Sequence, residues 1–295
     1  MAILATSAAL GAALCWAIGA ILAHGPARHL GAFEFTRIQL ISSAGLLLLI
    51  ATLAGAWGSV SWLHWPGFVV ASLIGVLVNN LAMVACLRRG GPRRTQLLET
   101  AAAPIAMVLA WGLLGESVSP RDACGAAIAL AGVMLAILHE DPAARFEAVQ
   151  GPFGTMAAFG LLSAAAQAAG LVAMKPALLA GTDPVAASAI RTGGAALVIA
   201  VIGLWPSPAS APRSVRTVRL MVRTIVPGIL GYVVAVSLLL LALRNGSTTS
   251  AAVLSSTTPV LMLPMIWAVT GRRPGGAAWA GAALVVIGMG LMAAG

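Results

Sequence analysis

Charge is what this sequence has least of. Only 8% of its residues are Asp, Glu, Lys or Arg, where a soluble domain carries about 25%. That shortage excludes an ordinary soluble enzyme, a disordered chain and a coiled coil. Cysteine is scarce as well. Cys15, Cys86 and Cys124 lie in or beside apolar runs at no metal-ligand spacing, so they read as small buried hydrophobes rather than a disulfide scaffold. No Walker loop, glycine-rich phosphate fingerprint, HExxH or GxSxG occurs. ATP-driven transport by this chain is therefore disfavoured, and no enzyme constellation is in sight. Asp122, Asp141 and Asp183 fall in predicted loops, so an intramembrane aspartyl protease lacks its pair. His24, His29, His64 and His139 are dispersed, so neither a metal nor another cofactor is expected. A potassium-type filter is also missing.

What fills the chain instead is apolar. Of its 295 residues, 60% are AVILMFWYC, and the mean hydropathy is +0.99. The apolar runs fall at 3–24, 33–54, 66–87, 94–114, 121–138, 151–174, 184–205, 221–243, 248–269 and 275–294. A membrane-spanning helix needs roughly 20 such residues. The runs lack the period-2 alternation of barrel strands. An all-α membrane protein of ten transmembrane helices is predicted, with the first run retained as span 1 because no signal-peptide pattern precedes it. Two connections are longer than the rest, 139–150 and 206–220. The 17 Lys and Arg against 8 Asp and Glu would suggest nucleic acid in a soluble protein. Here the arginines sit mostly in connections, where they meet lipid headgroups, and no nucleic-acid partner is expected.

The sequence repeats itself. At a shift of 156, Gly75 falls on Gly231, Leu87-Arg88 on Leu243-Arg244, Gly90 on Gly246, Trp111 on Trp267, Gly115 on Gly271, Gly125 on Gly281 and Gly132 on Gly288. Pro104 and Pro259 agree at 155, Arg37 and Arg191 at 154, Gly19 and Gly170 at 151. Each half, 1–140 and 151–295, holds five predicted spans. Five is odd, so the second half enters from the opposite side of the membrane. Two inverted halves around a midplane site are the recurring plan of secondary transporters.

In order along the chain, these residues resemble the ten-helix EamA-type branch of the drug/metabolite transporter superfamily. The match rests on Trp16 in "ALCWAIGAI", Arg37 and Arg191, the mid-helix prolines of "AAAPIAMVLAWGLLGE" and "SSTTPVLMLPMIWAVTGR", the Gly-x6-Gly pairs of spans 5 and 10, and "LLGES". Arg272 stands where the first half has Glu116, and Gln167 roughly where it has Trp16. The resemblance implies export or exchange of a small organic solute without ATP. Amino acids or related metabolites are favoured, at the cell's inner (plasma) membrane, by a monomer or weak homodimer. The runner-up is a drug or organic-cation exporter coupled to protons. A membrane scaffold or enzyme is the reading from another class. The arginine distribution puts both termini outside, whereas the resemblance implies termini in the cytoplasm.

Ionisable groups in an apolar core mark function or a partner. Glu99, beside Ala101–Ala103 and Pro104, is the candidate for proton coupling, or else snorkels to the interface. Arg37 and Arg191 are candidates for a substrate carboxylate, or tie helix ends to headgroups or to the other half's backbone. Lys175 and Glu34 read as interfacial. Asn79 and Asn80 point about 100° apart, so one is expected to face a cavity. Trp16, Gln167, Tyr232 and Ser255 complete the predicted cavity wall. Pro104 and Pro259 are the predicted hinges, with Ser and Thr before Pro259 able to satisfy freed carbonyls. Trp57, Trp62, Trp65, Trp205 and Trp279 read as an interfacial belt. Trp111 and Trp267 read as packing. The glycines of spans 5 and 10 predict close helix contact, within the chain or between two copies.

Overall fold

The computed structural model describes residues 2–138, 151–204, 217–246, 248–255, 257–271 and 273–293. The long connection 139–150, the first part of 206–220, His139, Trp205 and Arg272 lie outside the described residues. Among the described residues the structure is helical and holds no strand. With no water to bond exposed peptide groups, an apolar chain satisfies them within helices.

The helices are α1 (Ala2–Leu30), α2 (Ala32–Leu53), α3 (Trp65–Ser72), α4 (Asn79–Glu99), α5 (Ala102–Leu114), α6 (Pro120–Leu138), α7 (Phe153–Leu179), α8 (Pro184–Leu204), α9 (Val218–Gly228), α10 (Val236–Asn245), α11 (Thr248–Ser255), α12 (Thr258–Thr270) and α13 (Gly276–Ala293). A π turn, Leu73–Val78, joins α3 to α4, and another, Ile229–Ala235, joins α9 to α10. Gly91, at φ 76° before Pro92, breaks α4 between two spans. Seven stretches among the described residues are long and apolar enough to cross a membrane. The remaining expected spans correspond to α6, to α11 with α12, and to α13. These are helices of 19, 8, 13 and 18 residues. Large apolar side chains such as Leu53, Leu63 and Leu204 stand at the surface, as lipid contact requires.

The repeat is visible in backbone geometry. The π turns start at Leu73 and Ile229, 156 residues apart. Gly115 and Gly271 both end their helices at φ 67°, a left-handed conformation that glycine adopts without a Cβ penalty. The helix breaks recur too. α4 ends at Glu99 and α5 begins at Ala102; α11 ends at Ser255 and α12 begins at Thr258. At each break the backbone falls to i→i−3 bonds, Thr100 N–H to the Leu97 carbonyl and Thr257 N–H to the Leu254 carbonyl, both 3.2 Å. Pro104 and Pro259 sit just beyond the breaks, on the first turn of each following helix.

α6 and α13 run antiparallel against one another. A Cβ on Gly132 would stand 2.6 Å from the Gly281 carbonyl oxygen, and one on Gly288 would stand 2.6 Å from the Ala129 nitrogen, beside Gly125. The glycine contact is therefore within the chain. Gly288→Leu is expected to cost about 1–3 kcal/mol by overpacking. Thermal unfolding in detergent should show a clear drop in Tm. An unchanged Tm would mean the pair does not set stability.

Several sequence expectations are corrected here. Lys175 and Glu34 lie near helix ends but do not reach the surface there; they are buried, at 6% and 2% exposure. Lys175 Nζ donates to the carbonyls of Leu243 (2.9 Å) and Gly246, and so caps the end of α10. Glu34 pairs with Arg37 at 2.7 Å. Trp111 and Trp267 are not packing residues. They stand 62% and 39% exposed on the outer surface, and Arg273 covers the Trp267 ring at 5.1 Å. The reason is common to all four: hydropathy tells how apolar a helix is, not which face its neighbours cover.

Candidate functional site

A cavity of about 120 Å³ lies between the two halves. α1, α2, α4, α7, α8, α10, α11, α12 and both π turns line it, with Pro227 of α9. None of the described residues of α6 and α13 lines it. Of the residues singled out from sequence, Trp16, Asn79, Asn80, Glu99, Gln167, Arg191, Tyr232, Ser255 and Pro259 reach this wall. Both asparagines reach it, where one was expected. Arg37 and Pro104 do not line it.

Arg37 and Arg191 differ although their sequences align. Arg37 bonds Glu34 and lies against Gly203, away from the cavity. The packing explains it. Gly194 meets Ser72 and Gly228 meets Gln39, contacts that superpose at a shift of 155 along α2 and α8. Arg191 thus occupies the place of Thr36, and Arg37 that of Thr192. One residue is about 100° of helix, enough to turn a side chain from cavity to flank.

The first π turn offers a main-chain acceptor to side chains. In a π turn the carbonyl meets the i+5 rather than the i+4 N–H. The Gly75 carbonyl also accepts from Arg191 Nη2 at 3.2 Å and from Asn79 Nδ2 at 3.3 Å. Arg191 is 4% exposed, and its Nε and Nη1 have no partner among the described residues. Asn80 is 3% exposed with Oδ1 likewise unpartnered. These are a guanidinium fork and an amide acceptor lining the same cavity, with capacity left for a ligand.

Glu99 is 8% exposed, at the break between α4 and α5. No salt bridge joins it to a cation among the described residues. Its Oε1 meets Ser163 Oγ of α7. The same hydroxyl lies 2.6 Å from Asn79 Oδ1 and 3.2 Å from the Asn79 carbonyl. At the position equivalent to Glu99, the second half presents Ser255, so one half alone carries a titratable group at its break.

Sequence reasoning passed over Gln39, Gln96, Thr95 and Ser163. Gln39, Gln96 and Thr95 line the cavity, as does Thr258 of the polar run before Pro259. Three had a readable signal. Thr95 and Gln96 are four and three residues before Glu99, and Ser163 is four before Gln167, so each shares a helix face with a residue already chosen. Gln39, whose Nε2 donates to the Thr224 carbonyl at 3.2 Å, had none.

The sequence model of the EamA-like transporter family matches residues 3–138 and again residues 154–294. No curated protein matches the chain. A solved structure described only as "Crystal structure of protein" is similar with a TM-score of 0.75 at 18% identity, over 97% of this chain and 95% of that one. That likeness speaks for the fold.

Proposed function

Since the chain belongs to the EamA-like transporter family of the drug/metabolite transporter superfamily, and is a multi-pass membrane transporter rather than an enzyme, we propose that it exports small zwitterionic metabolites, amino acids or related compounds. The solute exchanges for protons by alternating access between two inverted five-helix halves, 1–140 and 151–295, of a ten-span protein in the inner membrane. The observation that carries this reading is Arg191. A buried guanidinium with two unpartnered nitrogens is costly unless an anion completes it. A substrate carboxylate supplies that anion, and the planar fork suits it. Asn80 Oδ1 then offers an acceptor for an ammonium group. Trp16 and Tyr232 give apolar walls to the side chain between. The broken helices flank this cavity in corresponding places of the two halves, which is where such transporters bind their solutes.

A second reading, a drug or organic-cation exporter coupled through Glu99, is favoured by the absence of a cationic partner for that carboxyl among the described residues. Arg191 in the same cavity opposes a permanent cation. A zwitterion satisfies both groups. Counterflow in proteoliposomes decides, with zwitterionic amino acids, dicarboxylates, organic cations, nucleosides and sugars as the panel. Exchange of amino acids is the expected result. Exchange of organic cations with none of the amino acids would replace this reading by the second.

A further inference from the structure

The contacts around Ser163 do not close as a donor count if Glu99 is ionised. A serine hydroxyl has one proton to donate and accepts through its lone pairs. Ser163 Oγ, fully buried, faces Glu99 Oε1, Asn79 Oδ1 at 2.6 Å and the Asn79 carbonyl at 3.2 Å. All three are acceptors when Glu99 is a carboxylate. Turning the Asn79 amide over does not relieve this, because its Nδ2 already donates to the Gly75 carbonyl. With Arg191 Nη2 held where it stands, on the Gly75 carbonyl, the reversed amide would set two oxygens against each other there. A proton on Glu99 closes the count. Glu99 then donates to Ser163, Ser163 to Asn79 Oδ1, and Asn79 Nδ2 to the Gly75 carbonyl, which also accepts from Arg191.

We infer that Ser163 and Asn79 are positioning residues that relay the proton state of Glu99 to Arg191 through the first π turn. When the Glu99 proton leaves to the cavity, Ser163 turns its hydroxyl to the carboxylate. Asn79 then turns its amide to donate to Ser163 Oγ. Its Oδ1 comes to lie at the Gly75 carbonyl, where Arg191 Nη2 already donates and shifts to it. The carboxyl on α4 and the guanidinium on α8 are thereby coupled across α7 without touching. Among the described residues the titratable and charged groups facing Glu99 are few. Cys86 faces it from its own helix, and Tyr232, itself beside Arg191, from the second π turn. α7, α11 and α12 present Ser163, Gln167, Ser255 and Thr258, and α1 and α2 present Trp16 and Gln39.

This inference rests on the roles given above to Glu99 and Arg191, and its test needs no solute. Infrared difference spectra between acidic and alkaline buffer are recorded on the full chain in phosphatidylcholine vesicles. The wild type is expected to lose a protonated-carboxyl band, absent in Glu99→Gln. It should change its guanidinium bands in parallel, with that change lost in Arg191→Lys. Ser163→Ala and Asn79→Ala should each keep a carboxyl response and lose the guanidinium response. Ser163→Thr, which retains the hydroxyl, should keep both. If Ser163→Ala fails to fold, Asn79→Ala carries the same test. A guanidinium response that persists in either alanine variant overturns the relay, as does a wild type with no protonated-carboxyl band. Absent amino-acid counterflow beside an intact infrared response overturns the substrate reading and leaves the relay standing.

Discussion

Arg191→Leu is expected to abolish most counterflow of zwitterionic amino acids. Leucine keeps the helix and the apolar contacts of α8 but removes the fork that faces the cavity. Truncating one partner of a buried, hydrogen-bonded charge pair costs about 2–5 kcal/mol. At about 1.4 kcal/mol per tenfold, apparent affinity falls by roughly 30-fold or more. Arg191→Lys should fall between, because an ammonium keeps the charge and loses the bidentate geometry. The measurement is the concentration dependence of counterflow in proteoliposomes. The parallel variant Arg37→Leu is the control: its guanidinium sits against Gly203 and pairs with Glu34, so its half-saturation should barely move. Equal losses in the two variants would sink the assignment of Arg191 to the substrate.

Glu99→Gln should separate exchange from coupling. Glutamine keeps the size and a hydrogen-bonding end beside Ser163 but has no proton to release. For one proton exchanged per solute, a gradient of one pH unit supports about tenfold accumulation. The sign follows from exchange. Protons run from the acidic to the alkaline compartment, so solute gathers on the acidic side. With vesicles acidic inside and the membrane potential clamped at zero, the wild type should concentrate external solute about tenfold per unit. Glu99→Gln should only equilibrate it. Accumulation by the variant equal to the wild type would remove Glu99 from coupling.

How much of this was legible beforehand can be read from particular residues. The apolar runs announce helices because lipid leaves the backbone no other partner. Gly115 and Gly271 announce matching helix ends, since only glycine takes φ 67° at little cost. Glu99 stands out because a carboxyl in an apolar helix is expensive. Other features leave no such mark. "LIGVLV" and "ILGYVVA" share little beyond a glycine, yet both form π turns at equivalent places. An i→i+5 turn is decided by what packs against the helix. Lys175 looks like a snorkelling end residue, and only the approach of α10 turns it into a buried cap.

Composition and spacing along the chain carry the membrane setting, the helices and the duplication, and the residues that resemble the EamA-type branch carry the family. The tertiary structure decided which polar groups share a cavity. Arg37 and Arg191 aligned in sequence, and a one-residue offset in packing sent one to the flank and the other to the wall. Asn79, Ser163, Glu99 and Arg191 come from α4, α7 and α8, and nothing local records that they meet. A helix carries its residues round by about 100° each, so facing is a property of the neighbours against which it is packed.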